Sequence, residues 1–252
     1  MIQRQALLQY LDSLLEPAYF KDYCPNGLQV QGRETIQTLV TGVTATQALI
    51  DRAIELNADA IFVHHGYFWR GEDPSIVGMK YNRIRSLLEH QISLFAYHLP
   101  LDAHPELGNN AQLASRLGLV VESGLDPQEK RPVGNVGSLA QARDAEALAA
   151  TIEAALGRKP LLVKGGDHSI SRVAWCSGGA QGYIEKAVAM GADAYISGEI
   201  SEQTTHVARE CGIHYFAVGH HASERYGAKA VGDHLSAKFQ LKHEFVDIDN
   251  PA

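Results

Sequence analysis

Cysteine and long apolar segments are both scarce in this sequence of 252 residues. The three cysteines, Cys24, Cys176 and Cys211, lie far apart and form no Cys-x-x-Cys pair. This argues against a disulfide framework and against a zinc site built from thiolates. No apolar run approaches the roughly 18 residues of a membrane span, and the N-terminal segment lacks the apolar core of a signal peptide. The sequence therefore predicts a cytoplasmic protein without a membrane partner.

Positive charge is also in short supply. The chain has 22 lysine and arginine residues against 29 aspartate and glutamate residues, which gives a formal net charge of −7. This balance argues against a dedicated nucleic-acid or anionic-membrane binder. The phosphate-binding pattern Gly-x-x-x-x-Gly-Lys-Ser/Thr does not occur either. Histidine, in contrast, is abundant, with 12 residues.

The order of predicted strands and helices is typical of an α/β protein. The segment TLVTGV, a helix from about Thr46 to Leu56 and the segment ADAIFV form a first strand–helix–strand unit, with Thr44 and Gln47 as a candidate capping box. A second such unit begins at Trp175, and Ala-Asp-Ala recurs in it 134 residues later (192 − 58). This repeat predicts two related α/β layers from an internal duplication.

The stretch from Ser123 to Ser138 is rich in glycine and proline and is the best candidate for a linker. We therefore expect a first domain over residues 1–124, completed by about 219–252, and a second domain over residues 125–218.

Histidines and carboxylates follow several predicted strands, at the point where each strand ends. AIFV leads into His64 and His65, SLFAY into His98 and, four residues later, Asp102. In the second half, AYIS leads into Gly198 and Glu199, and YFAVG leads into His220, with Glu224 four residues further on. Polar residues at the carboxyl ends of parallel strands line the binding crevice of open α/β sheets.

Imidazoles and carboxylates together are ligands for borderline divalent metals. His64 and His65 are adjacent, so at a strand end they are expected to serve two neighbouring ions. His220 and Glu224 share a face if a helix begins there, and Asp102 supplies further negative charge. A single histidine at a strand end is more often a structural residue, but this combination favours a site with two metal ions.

The segments NGLQV, ADAIFVHHG, HLPLDAH, GNNAQLA, SGE and VGHHASE resemble those of the NIF3-like family of dinuclear metal proteins. The resemblance covers essentially the whole chain and is strongest to the short gammaproteobacterial members. It implies a fold of two similar, intertwined α/β/α three-layer domains. It also implies a homohexamer, a toroidal trimer of dimers with the metal sites facing an internal cavity.

By its motifs, the resemblance places the metal ligands on His64, His65, Asp102, His220 and Glu224, with Glu224 bridging the two ions. His98 precedes the proline of the H-x-P-x-D motif and is expected beside the ligands. The loop after the strand AYIS departs from many longer relatives, because Glu199 and Gln203 stand where an Asp and a His are expected. The identity of the two divalent ions stays open among zinc, iron, manganese and nickel.

Two classes of function agree with these features. In the first, the protein is a metal-dependent hydrolase of a nucleotide-like small molecule, similar to a GTP cyclohydrolase of the second type, with His98 or Glu199 as the proton carrier. In the second, it is a non-catalytic ring that handles metal or regulates a partner. A ring associated with nucleic acid is a weaker third alternative, because the charge of −7 opposes it.

Overall fold

A computed structural model describes all residues from 1 to 252. The helices are α1 (Arg4–Leu15), α2 (Gln47–Glu55), α3 (Gly78–Glu89), α4 (Leu99–Ala103), α5 (Asn109–Leu117), α6 (Ala145–Leu156), α7 (Ile184–Ala189), α8 (Glu202–Glu210) and α9 (His220–Phe239). The strands are β1 (Ile2–Gln3), β2 (Gly27–Val30), β3 (Thr35–Ile36), β4 (Thr38–Thr44), β5 (Ala60–His65), β6 (Ser93–Ala96), β7 (Leu119–Gly124), β8 (Asn135–Arg143), β9 (Leu161–Val163), β10 (Ile170–Cys176), β11 (Ala194–Ser197), β12 (His214–Ala217) and β13 (Lys242–Phe245). No helix is long and apolar enough to cross a membrane.

The first compact unit comprises residues 1–101 and 227–249. Its five-stranded sheet has the order β13-β4-β5-β6-β2, in which β2 alone is antiparallel to its neighbour. The central strands are buried almost throughout, as expected of parallel strands covered on both faces. One core cluster is formed by these strands with α2 and α3, around Leu49, Ile61 and Leu87.

The second compact unit comprises residues 102–226 and 250–252. Its six-stranded sheet has the order β7-β8-β10-β11-β12-β9, with a parallel centre of β10, β11 and β12. Helices α5 and α6 pack on one core cluster around Trp175, and α7 and α8 contribute to another around Tyr195. The α/β fold expected from the sequence is confirmed.

The N-cap of helix α2 lies two residues after the expected one. The N-cap is Thr46, whose hydroxyl accepts a hydrogen bond from the backbone N–H of Leu49 at 3.3 Å. Thr44 is instead the last residue of β4, where its hydroxyl contacts His65. The predicted capping box of Thr44 and Gln47 was therefore wrong, because Thr44 still belongs to strand β4.

Two equivalent aspartates demonstrate the internal duplication in atomic detail. Asp59 Oδ2 accepts hydrogen bonds from the backbone N–H groups of Gln37 (2.8 Å) and Thr38 (2.9 Å). Asp193 lies 134 residues later (193 − 59), and its Oδ2 accepts from Ser171 (2.8 Å) and Arg172 (2.7 Å) at the same offset. In each unit the carboxylate thus fixes the start of the first parallel strand to the start of the next.

We expect Asp59→Ala and Asp193→Ala each to lower the free energy of unfolding by about 1–3 kcal/mol. Each variant leaves two strand N–H groups without their charged acceptor. Asp249→Ala, at an exposed position, is the control and is expected to change little. Thermal denaturation of the three variants checks this, and a near-zero effect at only one of the two aspartates would show that they are not equivalent.

Candidate metal centre

Three histidines cluster at the carboxyl ends of β5 and β6. His64 and His65 end β5, where His64 is fully buried and His65 half-buried, and His98 lies two residues after β6. One ring nitrogen from each lies within 4.8 Å of the others. The chain brings them together because β5 and β6 are adjacent parallel strands, as the sequence predicted.

The orientation of each of these rings is set by an oxygen atom at Nδ1. His64 Nδ1 lies 3.2 Å from the backbone carbonyl of Tyr97, and His65 Nδ1 lies 3.1 Å from the hydroxyl of Thr44. A carbonyl acceptor requires the proton on Nδ1, so the lone pair of His64 lies on Nε2. Metal-binding histidines in proteins commonly have this second partner, which fixes the tautomer and the ring plane.

His98 has the strongest of these partners, a buried carboxylate that the sequence did not indicate. Its Nδ1 lies 2.7 Å from Asp22 Oδ1, and the Asp22 side chain is only 3% exposed. Asp22 also accepts from the backbone N–H of Leu99 at 2.9 Å and from Asn26 Nδ2 at 2.9 Å. Burial raises the pKa of Asp22, but the hydrogen bonds from His98 and Asn26 outweigh it, so the pKa lies below its ordinary value. Asp22 is thus a carboxylate that holds His98 in place.

Cys24 lies close enough to Asp22 and His98 for the three side chains to form a second possible metal group. Burial, followed by the charge of Asp22, raises the pKa of the Cys24 thiol to about 12. The oxygens of Asp22 are already engaged by backbone and side-chain donors. This group is therefore less suited to a cation than the three histidines.

In the second unit, His220 and Glu224 lie on the first turn of α9, four residues apart. His220 Nε2 lies 3.2 Å from Glu224 Oε2, and His220 Nδ1 lies 2.7 Å from Glu199 Oε1, just beyond β11. The hydrogen bond to Glu224, together with the nearby Glu199, raises the pKa of His220 to about 9. An imidazole nitrogen and a carboxylate this close need a proton or a cation between them.

Asp102 is the other carboxylate of this cluster, and it is almost completely buried at 5% exposure. Its Oδ1 accepts from Ser177 Oγ at 3.0 Å and from Asn109 Nδ2 at 2.9 Å. Its backbone carbonyl accepts from Asn110 Nδ2 at 3.2 Å. Both asparagines lie at the start of α5 and are partners of Asp102, because α5 folds back onto this residue.

Carboxylate oxygens of Asp102 and Glu224 approach within 4.8 Å of each other, and both residues are buried. Two buried carboxylates at this separation repel each other unless a proton or a cation compensates the charge. Their combined charge, after burial itself, also raises the pKa of the neighbouring thiol of Cys176. The local electrostatics therefore suit a cation.

A glycine makes room for Glu224. Gly178 follows β10 with φ of +65°, and a Cβ there would lie 2.1 Å from Glu224 Oε1 and 3.3 Å from His220 Nε2. The loop is fixed by Ser223, whose Oγ accepts from the Gly178 N–H at 3.0 Å and donates to the carbonyl of His220 at 2.8 Å. The backbone of the βα turn at Gly178 thus packs directly against the carboxylate of Glu224.

The residues in both units fit a divalent ion. Each unit offers several nitrogen or carboxylate ligands whose orientation is fixed by hydrogen bonds, which is the donor chemistry of zinc, iron, manganese and nickel sites. His64, His65 and His98 group in the first unit, and Asp102, His220, Glu224 and Glu199 group in the second. The sequence did not indicate Asp22, Asn26 and Ser177 as partners of the site. Asn26 lies in the NGLQV motif and Ser177 directly follows β10, but neither position shows which side chain it contacts.

The fold and these clusters define an α/β protein whose histidines and carboxylates can hold metal ions. The sequence profile of Duf34/NIF3 (NGG1p interacting factor 3) matches residues 2–251. A GTP cyclohydrolase 1 type 2 homolog of Pseudomonas aeruginosa is 54% identical over 251 residues, covering 100% of this chain and 99% of that protein. The homologue of the same name in Escherichia coli K12 is 52% identical, covering 98% of each. The chain belongs to the Duf34/NIF3 family.

Solved structures agree with this assignment. Protein ybgI, described as of unknown function, is 51% identical and superposes with a TM-score of 0.96 over 100% of both chains. TTHA1606 from Thermus thermophilus is 33% identical with a TM-score of 0.90, again over 100% of both chains. HcgD from Methanocaldococcus jannaschii, at 22% identity, has a TM-score of 0.84 over 99% of this chain and 98% of its own, which shows the shared fold alone.

Proposed function

We propose that this protein binds two divalent metal ions and is a metal-dependent hydrolase of a nucleotide-like small molecule. The observation that carries the proposal is a hydrogen-bonding pattern shared by four histidines. His64, His65, His98 and His220 each have an oxygen partner at Nδ1. Such partners orient the ring and increase its basicity at Nε2. Four strand-end histidines prepared in the same way are difficult to explain as structural residues alone.

The proposed metal ligands are His64, His65, Asp102, His220 and Glu224. The buried position of Glu224 and its contact with His220 support its central role. Two dications would offset the negative charge of Asp102 and Glu224. The hydrogen bond to Glu224 raises the pKa of His220, so that a proton compensates the charge of the carboxylate. A divalent cation bound to both side chains would compensate this charge in place of the proton.

Divalent ions at these residues would supply Lewis-acid activation of water and of the substrate. The contacts of His98 and Glu199 indicate different roles for the two residues. His98, held by Asp22 through Nδ1, has its lone pair on Nε2 and would accept and return a proton during hydrolysis. Glu199, which the sequence offered as an alternative proton carrier, bonds His220 Nδ1 and would position that ligand.

The nucleotide-like substrate is supported by the names of the relatives, which are homologues of GTP cyclohydrolase 1 type 2. GTP is therefore the first substrate to test. The homohexamer expected from the resemblance stays a prediction, as does the cytoplasmic location.

The deciding experiment is to measure metal content per chain, as purified and after reconstitution, on the wild type and on Glu224→Ala. We expect about two ions per wild-type chain and a sharp loss in the variant, because a buried carboxylate that would hold the metal is gone. Glu202→Ala removes a carboxylate that is 93% exposed on α8 and is the matched control, expected to keep both ions. GTP turnover measured on the same samples should fall together with the metal in Glu224→Ala only.

The outcomes separate the two functional classes. Two ions with no turnover on GTP or on a panel of nucleotides would contradict the hydrolase and favour the non-catalytic metal-handling alternative. A wild-type chain that binds no metal even after reconstitution would overturn the proposal as a whole.

A further inference from the structure

The second unit has a pocket of about 370 Å³ at the carboxyl ends of β11 and β12. Its walls include Arg158, Lys159, Gly198, Glu199, Gly219 and Ala252. Arg158 and Lys159 come directly after α6, whose C-cap is Gly157. Gly219 precedes the proposed ligand His220, and Glu199 bonds that histidine. The pocket therefore lies next to the proposed metal ligand His220.

Two donors in this pocket already hold oxygen atoms of a peptide segment. The guanidinium of Arg158 donates to the carbonyl of Pro251, and the backbone N–H of His221 donates to Ala252 O at 3.2 Å. His221 lies on the first turn of the 20-residue helix α9, where backbone N–H groups have no acceptor within the helix. A guanidinium and a helix N-terminus that converge on oxygen acceptors are the typical elements of an anion site.

Arg158 is held at the pocket wall by a close approach to backbone. Gly219 has φ of +97°, and a Cβ at this position would lie 2.9 Å from Arg158 Cδ and Nε and 3.1 Å from Cζ. The guanidinium therefore packs directly on the glycine, one residue before His220. Arg158 is accordingly half-buried, although it lies just beyond the end of a helix.

We propose that this pocket binds a phosphoryl group of the substrate, with Arg158, Lys159 and the N-terminus of α9 as its ligands. The inference rests on the proposed function and adds to it a phosphorylated substrate and the residues that hold the phosphate. Arg158 and Lys159 together exceed the charge of Glu199, which lines the same pocket, and so leave positive charge for a phosphoryl group. The phosphoryl oxygens would take the place of the Pro251 and Ala252 oxygens at these donors. The group bound here would hold the rest of the substrate beside His220.

The test uses inorganic phosphate as the probe and the full-length protein as purified. Phosphate binding is measured by calorimetry and by the rise in Tm at constant ionic strength, compared with chloride. We expect Arg158→Ala/Lys159→Ala to bind phosphate at least tenfold more weakly than the wild type. Arg209→Ala removes an exposed arginine of the same unit outside the pocket and is expected to stay within twofold. Arg158→Lys, which keeps the charge and loses the planar fork, should fall between them.

Lys159→Ala alone keeps the test decisive if the double variant folds poorly, because Lys159 is exposed and its loss should still weaken phosphate binding measurably. Equal phosphate affinity in the wild type and the pocket variants, or no phosphate binding by the wild type, would overturn the proposal. The proposed function is tested separately by metal content. We expect the same metal content in the wild type and in all the pocket variants, and we expect Glu224→Ala to lose metal and still bind phosphate. A wild type that binds phosphate but no metal would therefore contradict the proposed function alone.

Discussion

Replacing Gly178 by alanine is expected to weaken divalent-metal binding at least about tenfold, although no proposed ligand is removed. The new Cβ would lie 2.1 Å from Glu224 Oε1, which is far inside van der Waals contact. Glu224 must then leave its position beside His220, or the loop after β10 must move away from Ser223. The positive φ of this residue adds strain of about 1–2 kcal/mol for any L side chain. Metal titration and thermal denaturation of the variant measure the two effects.

Gly182 offers a matched control for this prediction. It lies four residues further along the same segment, and a Cβ there would meet no atom within 4 Å. Gly182→Ala should therefore keep both the metal affinity and the Tm of the wild type. Unchanged metal binding in a correctly folded Gly178→Ala variant would mean that Glu224 does not act where we place it.

Asp22→Asn is expected to lower the free energy of unfolding by about 2–3 kcal/mol near pH 7. The carboxylate accepts from His98 Nδ1, from Asn26 Nδ2 and from the backbone N–H groups of Tyr23 and Leu99. The amide of asparagine has one acceptor oxygen in place of two, so at least one pair of donors loses its charged partner. Asp51→Asn, an exposed carboxylate with a single hydrogen bond to Gln47, is the control and should change stability little.

The effect of Asp22→Asn depends on pH in a definite direction. The pKa of Asp22 lies below its ordinary value in the folded chain, so its charge contributes stability above the unfolded pKa of about 3.9. That contribution is lost as the pH falls through the lower, folded pKa. The difference in Tm between wild type and variant should therefore be greatest near neutral pH and shrink below about pH 4. A difference that grew on acidification would contradict the assigned role of Asp22.

The sequence predicted the parts of the site that follow from strand order. His64 and His65 end β5 and His98 follows its parallel neighbour β6, while Glu199 and His220 follow the parallel strands β11 and β12 of the other sheet. Parallel neighbours bring such strand ends together within each sheet. The duplication was predictable for the same reason, because β4–α2–β5 and β10–α7–β11 repeat both apolar pattern and spacing. An apolar strand and a motif at its end are local features, so both can be recognised in the sequence without knowledge of the fold.

The supporting residues depend on contacts that no local pattern encodes. Asp22 reaches His98 across 76 residues, and Ser177 reaches Asp102 across 75. Asparagine near the start of a helix most often forms a turn or a cap, so the sequence around Asn109 and Asn110 does not indicate their contact with Asp102. Only the return of α5 toward Asp102 reveals their actual partner. The N-cap of α2 was misplaced because the strand before it extends to Thr44.

The placement of β13 has a consequence for the order in which the chain is made. β13 pairs with β4, so Lys242 meets Thr38, which leaves the ribosome 204 residues earlier (242 − 38). At about 5–20 residues per second, β4 waits roughly 10–40 s for this neighbour during synthesis. Residues 102–226 of the second unit are continuous and emerge within that interval. Residues 102–226 therefore have time to fold before β13 is synthesised, while β4 keeps an open sheet edge that a chaperone or another nascent chain can reach.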